Sequence, residues 1–334
     1  MLRLADAGTA RAIVAGLLLL SSLGVDAGDT AAARTAAPQD TVTAPGAALS
    51  AEAAAATPFS WTVQRTPDLA AAEQDATRAP VVHQLVGSVH LLPSSAYPLP
   101  PGLDQAYART SALVLETDLA ALQEPAFQQQ FLQRAQAPGG LRAIVEPALY
   151  QRLQQRTAAL ALPDGYCDAF RAWFCALSLE LFELQQAGVD GDFGLDQHYF
   201  QRALRDQRSV RWLEEPGQQL ALFTTMSDVQ SQQFLAATLQ GLGEDGADPN
   251  ELLRQWRLND QPAMARNVVD LKRRYPDVYD RLLAARNRAW LARLDAMLGE
   301  SRPLLIVVGA AHLVGPDSVP ALLAAQGWIV TPQR

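Results

Sequence analysis

The sequence predicts a mixed α/β domain, with a central mixed sheet flanked by helices and a mostly helical insertion in the middle. Short apolar runs typical of strands lie near both ends of the chain, and the most apolar of them spans residues 304–309. Between these ends, residues 124–298 place apolar side chains mostly at helical spacing. Of the 334 residues, 49% are apolar and 19% charged. This composition supplies a large core and excludes disorder of the whole chain.

The first 27 residues have the three parts of a secretory signal peptide. Arg3 and Arg11 supply positive charge ahead of an apolar stretch at residues 13–20, and small residues follow up to Ala27. The apolar stretch is shorter than the ~20 residues that span a bilayer, which favours cleavage over a retained anchor. We therefore expect a periplasmic or secreted protein whose signal peptide, residues 1–27, is removed.

Residues 28–57 consist mainly of Ala, Thr, Pro and Gly. A segment with almost no large apolar side chain cannot bury enough surface to offset the entropy lost on ordering it. We predict a disordered linker over residues 28–57 and one folded domain over residues 58–334.

Six strands are predicted within this domain. The first two, at residues 59–63 and 81–87, are candidates for a hairpin. The other four lie at residues 112–116, 210–214, 304–309 and 328–330. Helices are predicted from Leu103, over residues 124–204 with breaks at 138–140, 163–165 and 188–194, from Pro216 to about Gly241, over 249–298, and through Leu322.

The chain has two cysteines, Cys167 and Cys175. After export to an oxidising compartment, two cysteines so close in sequence favour a disulfide. A continuous helix would hold their Cα atoms ~12 Å apart at ~1.5 Å per residue, whereas a disulfide requires ~4.4–6.8 Å. A disulfide therefore needs a turn between the two residues. The alternative is a pair of buried free thiols on one helix.

The formal net charge is −8, and Lys272 is the only lysine. A negative chain without a dense basic stripe is a poor nucleic-acid binder, so we expect no nucleic-acid partner. After the signal peptide, no apolar run approaches the ~20 residues of a transmembrane helix, and we expect no stable membrane span.

The pattern Gly-x-x-His follows two apolar strands, at residues 87–90 and 309–312. In open α/β sheets ligands bind beyond the carboxyl ends of the strands, and glycine lets the backbone turn sharply there. Glu116 ends a third strand at the equivalent place. We therefore expect His90, Glu116 and His312 to meet at one edge of the sheet, although they are far apart in sequence.

Two imidazoles and a carboxylate are typical ligands of a divalent ion such as Mn, Co or Zn. Such an ion acidifies bound water and polarises a carbonyl, which is the chemistry of metal-assisted hydrolysis. Glu116 would ligate the ion or act as general base, and Asp118 would add an oxygen or orient a histidine. The alternative is that these histidines are hydrogen-bonded structural residues and Glu116 a solvated carboxylate. His83, within the second strand, is expected to pack against a neighbour.

Four ordered blocks resemble the TraB/GumN family: residues 85–93, 113–118, 194–200 and 307–315. Arg286-Asn287 and the helix that follows are similar to a further recurrent feature of that family. The similarity covers roughly residue 59 to the C-terminus. The family is similar to the Tiki ectodomain proteases, which depend on divalent metals, and more distantly to ChaN-like and erythromycin-esterase-like proteins. The resemblance implies that His90, Glu116 and His312 belong to a catalytic centre that hydrolyses a peptide or ester bond.

Three further residues belong to these blocks or to the Arg286-Asn287 feature. Asp196 is expected to cap the helix that begins there, and His198 is a candidate for either a structural role or a substrate contact. Arg286 could bind an oxyanion or a substrate carboxylate, or lie on a solvated face with Arg281 and Arg288; the resemblance favours a functional role. The catalytic candidates are His90, Glu116, His198, Arg286 and His312, and the metal candidates are His90, Glu116 and His312.

The function that the sequence favours is an exported metal-dependent hydrolase that cleaves a peptide bond with a metal-activated water. One alternative is a non-catalytic periplasmic protein that binds a ligand such as haem in the same cleft. Another is an accessory factor in envelope or exopolysaccharide assembly.

Overall fold

The computed structural model describes residues 59–65, 80–186, 188–189, 193–241 and 251–333. The predicted signal peptide and linker lie outside the described residues. The described part contains a six-stranded mixed sheet surrounded by helices, most of them inserted between the third and fifth strands. The predicted fold class is confirmed.

All six predicted strands are present, and they follow the sheet order β4-β3-β5-β2-β1-β6. Their bounds are β1 Ser60–Arg65, β2 His83–Ser88, β3 Ala112–Leu115, β4 Ser209–Trp212, β5 Leu304–Gly309 and β6 Trp328–Pro332. The predicted pairing of the first two strands is confirmed, because β1 runs antiparallel to β2. Strand β1 also pairs antiparallel with β6.

The four strands β4, β3, β5 and β2 run parallel. Every residue of β2, β3 and β5 is buried, as expected for parallel strands covered on both faces. The register pairs Ser88 with Gly309, and Leu115 with Trp212. All four strands therefore end at the same edge of the sheet, where the segments that follow them meet.

The helices surround this sheet, and several begin with proline, whose missing N–H costs nothing in the first turn. Their bounds are α1 Pro101–Ala108, α2 Leu119–Leu122, α3 Pro125–Ala135, α4 Pro147–Ala159, α5 Ala172–Gln186, α6 Leu195–Arg205, α7 Pro216–Thr224, α8 Asp228–Gly241, α9 Glu251–Arg257, α10 Gln261–Arg274, α11 Pro276–Tyr279, α12 Ala285–Leu298 and α13 Val319–Ala325. A π-helical turn, Asp280–Ala284, joins α11 to α12.

Cys167 and Cys175 form a disulfide, with their Cα atoms 5.5 Å apart. The chain turns between them because α5 begins only at Ala172, so Cys167 lies in the preceding turns. The predicted disulfide and the turn that it requires are confirmed.

Within the described ranges, no helix is both long enough and apolar enough to cross a membrane.

Candidate functional site

The carboxyl ends of the parallel strands bring three predicted site residues together around Gly309. A methyl group on Gly309 would lie 3.2 Å from Glu116 Oε1. It would lie 3.5 Å from both His90 Nε2 and His312 Cδ2. Since β2 and β5 are parallel with Ser88 opposite Gly309, both Gly-x-x-His turns leave the sheet at one edge. The structure therefore places the two histidines and the glutamate at the same edge, all of them buried.

Arg286 lies buried beside Glu116 and uses all of its donors on protein acceptors. Its Nη2 donates to Glu116 Oε2 at 2.6 Å and to Glu214 Oε1, and its Nε donates to Glu214 Oε2 at 3.2 Å. Its Nη1 donates to the Leu282 carbonyl at 3.3 Å and to His312 Nε2 at 3.0 Å. A guanidinium has five N–H groups, so each one has a partner here. The structure gives Arg286 neither a solvated face nor a free donor for a substrate.

Arg286, Glu116, Glu214 and His312 form what we call the Arg286 cluster. Each oxygen of Glu116 has a donor, because the Gly309 amide donates to Glu116 Oε1 at 2.6 Å. Trp290 closes one side: its Nε1 donates to Glu214 Oε2 at 3.0 Å, and its ring centroid is 4.6 Å from that of His312. The cluster is a saturated network of the kind that buried charges require.

The charges within the cluster are fixed near neutral pH. Burial opposes ionisation of Glu116, but the positive charge of Arg286 outweighs it and lowers the Glu116 pKa to about 2. Burial lowers the pKa of His312 to about 3, against the opposing effect of Glu116. Burial also opposes the charge of Arg286, yet the two carboxylates raise its pKa. Glu116 is therefore ionised and His312 neutral.

The tautomer of His312 follows from its neighbours. Asn287 Nδ2 donates to the Asp317 carbonyl at 2.8 Å, which leaves Asn287 Oδ1 as an acceptor 2.6 Å from His312 Nδ1. His312 therefore carries its proton on Nδ1, and Nε2 accepts from Arg286. The Asp317 carboxylate in turn accepts from Lys272 Nζ at 2.8 Å. A chain of contacts thus links the surface lysine to the buried histidine.

His90 is held by a different partner, Asp196. Its Nδ1 lies 3.0 Å from Asp196 Oδ2, and Ser88 Oγ donates to Asp196 Oδ1 at 3.2 Å. In the part of the chain that the structure describes, Nε2 of His90 has no hydrogen bond. Burial lowers the His90 pKa, but the charge and hydrogen bond of Asp196 more than offset this, and the pKa is raised. We call His90 and Asp196 the His90 dyad.

The prediction that Asp196 caps a helix is wrong. Helix α6 begins at Leu195 with Gly194 as its N-cap and no capping side chain, so Asp196 lies in the first turn and points at His90. The position of Gly194 explains this placement, because a Cβ there would lie 2.2 Å from the His90 carbonyl oxygen. Only glycine lets the start of α6 approach this closely, and the Leu195 amide then donates to the Val89 carbonyl at 3.1 Å.

Three other candidates lie outside these groups. Asp118 neither adds an oxygen nor orients a histidine; it caps α2 by accepting from two backbone amides of that helix. His198 packs its ring against Tyr97 at a centroid distance of 5.5 Å, and burial lowers its pKa. Among the described contacts, none joins His198 to His90 or Glu116. His83 packs against Trp328, as predicted, and accepts from the Leu304 amide at 3.3 Å.

The donor atoms do not fit the predicted divalent ion in this arrangement. Within the described residues, no group of three or more His, Cys, Asp or Glu side chains could hold a metal. The physical reason is Arg286, which occupies the lone pair of His312 Nε2 and binds Glu116 Oε2. A cation placed between these groups would meet a guanidinium instead of free lone pairs. The metal stays a prediction.

The sequence interpretation missed the role of two carboxylates. Glu214 follows β4 as Glu116 follows β3, and the pairing of Leu115 with Trp212 brings the two together. The position of Glu214 at the end of a predicted strand could therefore have marked it as a second carboxylate at this edge. The bond from Asp196 to His90 had a weaker signal, since it depends on the close approach of α6 that Gly194 permits.

A cavity of about 50 Å³ opens beside the His90 dyad. His90, His312 and Gly309 form part of its wall, and apolar side chains from neighbouring helices form the rest. It is smaller than the ~150 Å³ cavity that admits benzene, so it offers no room for haem.

Comparison with known proteins gives a family. The profile of the TraB/PrgY/gumN family matches residues 74–332. The uncharacterized protein YbaP of Escherichia coli strain K12 is 25% identical over 240 residues, which covers 72% of this chain and 86% of YbaP. YbaP of Shigella flexneri is similar to the same extent. No solved structure matches the chain. Because the family profile spans most of the chain, including both Gly-x-x-His turns, this protein is a member of the TraB/PrgY/gumN family.

Proposed function

We propose that this protein is an exported hydrolase in which His90, oriented by Asp196, acts as general base on a water molecule. The observation that carries the proposal is the buried 3.0 Å contact between His90 Nδ1 and Asp196 Oδ2, at a histidine that lines a cavity. A carboxylate bound to one ring nitrogen fixes the tautomer and makes the other nitrogen a stronger base.

The reaction needs one water and one acyl compound. As the water oxygen attacks the carbonyl carbon, one water proton passes to His90 Nε2 and the C=O π pair moves onto oxygen. When that pair returns, the C–O bond of an ester or the C–N bond of an amide breaks. The leaving group then takes the proton from Nε2, so the products are an acid and an alcohol or amine.

The other candidates are less suited to the role of base. A general base works best when its pKa is near the working pH, and that of Glu116 is about 2. Both ring nitrogens of His312 are engaged, by Asn287 and Arg286. The negative charge of Glu116 raises the pKa of His90, so in this proposal Glu116 stabilises the imidazolium that forms, and Arg286 is the positioning residue that holds Glu116.

The metal-dependent peptidase implied by the family resemblance is the second candidate. The observation that favours it is the shared space beside Gly309, which borders His90 Nε2, Glu116 Oε1 and His312. In that version the Arg286 guanidinium must withdraw from His312 before an ion could bind. The two candidates therefore make opposite predictions about metal content.

The test is to purify the mature protein, measure its Mn, Co and Zn content, and assay p-nitrophenyl esters and a peptide library before and after chelation. For the proposed hydrolase we expect turnover that survives chelation and falls by about 10²–10⁴-fold in His90→Gln. The matched control is His198→Gln, which leaves the rate unchanged.

About one metal ion per chain, with activity lost on chelation, would instead support the metal-dependent peptidase. Turnover that is equal in wild type and His90→Gln would overturn both. A saturable haemin titration would favour the non-catalytic ligand-binding alternative, and a partner from envelope fractions that persists in His90→Gln would favour the accessory role.

A further inference from the structure

The cavity beside His90 has walls of two kinds. On the sheet side lie the two Gly-x-x-His turns, with His90, Gly309 and His312. On the helix side lie Met264 of α10 and Leu283 of the π-helical turn, both almost fully buried, together with Leu252 of α9. The cavity is thus lined both by apolar side chains of these helical segments and by the edge of the sheet that carries the proposed base.

The size of the cavity limits what it can hold. A space needs about 10–15 Å³ to hold one water molecule, and about 150 Å³ to admit benzene. At about 50 Å³ the cavity is large enough for a group of two or three carbon atoms and too small for an aromatic ring. Its apolar wall favours an aliphatic group, because burying each methylene contributes about 0.8 kcal/mol.

The position of the cavity connects this size limit to the proposed chemistry. Both His90 and Gly309 line it, and His90 Nε2 lies 3.5 Å from the point where a Gly309 methyl group would be. An aliphatic group in the cavity would therefore lie next to the nitrogen that activates water. The carbonyl attached to that group would be within reach of the same water.

We propose that this cavity is an acyl pocket that selects substrates with a two- or three-carbon aliphatic acyl group. Met264 and Leu283 are the residues that we expect to set the length limit, since both are buried apolar side chains that line the pocket. This inference rests on the proposed hydrolase function and adds the class of substrate to it.

The first test is the hydrolysis of p-nitrophenyl esters from acetate to octanoate. A single methylene in an apolar pocket changes specificity by about 10-fold or more, so we expect wild type to prefer acetate or propionate over hexanoate by at least about 100-fold. Met264→Ala and Leu283→Ala enlarge the pocket and should reduce that preference at least about tenfold. Leu283→Val is a milder variant should the alanine variants fold poorly.

The matched control is Leu258→Ala, which removes the same side chain at a position that is 50% exposed and away from the cavity. It should keep the wild-type profile. If wild type hydrolyses esters but shows the same chain-length profile as both enlarged variants, the acyl pocket is overturned while the hydrolase function stands.

The second test does not depend on activity. Xenon occupies apolar cavities of this kind, and the chain has only four methionines, so their ¹³C methyl signals are readily assigned. In xenon-saturated buffer we expect the Met264 methyl signal to shift, with Met226 and Met297 as internal controls. An unshifted Met264 signal means that the apolar cavity is absent and overturns the proposal. A shifted signal without turnover of any ester means that the hydrolase function fails and the acyl role fails with it.

Discussion

The two histidines of the Gly-x-x-His turns lie in contrasting surroundings. His312 belongs to the Arg286 cluster, where both ring nitrogens have partners and burial holds the pKa at about 3. His90 has one carboxylate partner and a raised pKa, and it lines a cavity. The same motif therefore supplies a structural acceptor on one strand and a candidate base on the next. What decides between these roles is the partner that each imidazole meets.

The largest effect on activity is expected from breaking the His90 dyad. Asp196→Asn removes the charge that orients His90, and we expect kcat/KM to fall by about 10²–10⁴-fold. The control is Asp118→Asn, which keeps an N-cap on α2 and should leave kcat/KM unchanged. An equal loss of activity in both variants would contradict a specific role for Asp196.

The Arg286 cluster should respond chiefly in stability. Arg286→Met leaves Glu116 and Glu214 buried without their cation, and removing one partner of a buried ion pair costs about 3–5 kcal/mol. Urea denaturation gives the free energy of unfolding. Arg288→Met is the matched control on the same helix, because the ion pair of Arg288 with Asp280 is half exposed and contributes at most about 1 kcal/mol. Similar losses in the two variants would show that the cluster is not a buried network.

The disulfide lies outside both groups and should affect stability alone. Replacing Cys167 and Cys175 by serine opens a short loop, whose closure is worth about 2–3 kcal/mol in the loop-entropy estimate. We expect the urea midpoint to fall while kcat/KM for a fixed ester keeps its value. A loss of activity at temperatures where the variant remains folded would mean that the disulfide supports the site directly.

The raised pKa of His90 predicts the direction of the pH dependence. A general base must be unprotonated, so kcat/KM should rise with pH through a pKa above the ordinary 6.5 of histidine. In Asp196→Asn the pKa of His90 should fall, because the favourable charge is gone while the burial remains. The pH at which the residual kcat/KM rises should therefore be lower than in wild type. An inflection below 6.5 in wild type would remove His90 as the base.

The smallest effect is expected at His198. Its ring packs against Tyr97 and Tyr199, apart from the His90 dyad. His198→Gln should leave kcat/KM close to the wild-type value. A loss as large as that of Asp196→Asn would bring His198 back among the catalytic residues.

The sequence predicted the strands and their meeting point because both depend on local patterns. The apolar runs at β2, β3 and β5 indicated strands of a mixed sheet, and ligands bind beyond the carboxyl ends of strands in open α/β sheets. That rule was enough to predict that His90, Glu116 and His312 lie at the same edge of the sheet. The pairing of side chains at that edge depends instead on where helices dock. Arg286 reaches Glu116 from α12, and Asp196 reaches His90 from α6, and neither contact follows from local spacing.

The chemistry of the edge was harder to predict for the same reason. Two imidazoles and a carboxylate suggested a metal, but the cation that Glu116 meets in the structure is a guanidinium from a distant helix. A sequence shows which side chains are available at a strand end. It does not show which of their lone pairs another residue has already taken.

Lys272 offers a practical handle on this arrangement. The Lys272 side chain is 45% exposed, and its ammonium group binds the Asp317 carboxylate. The Asp317 carbonyl accepts a hydrogen bond from the side-chain amide of Asn287. Apart from the α-amine of the first residue, no other group in the sequence reacts as a primary amine. A fluorophore coupled through succinimidyl ester chemistry would therefore attach at Lys272 and at the α-amine alone. The label on Lys272 lies beside the loop that follows His312, and its emission would report on events there without any engineered cysteine.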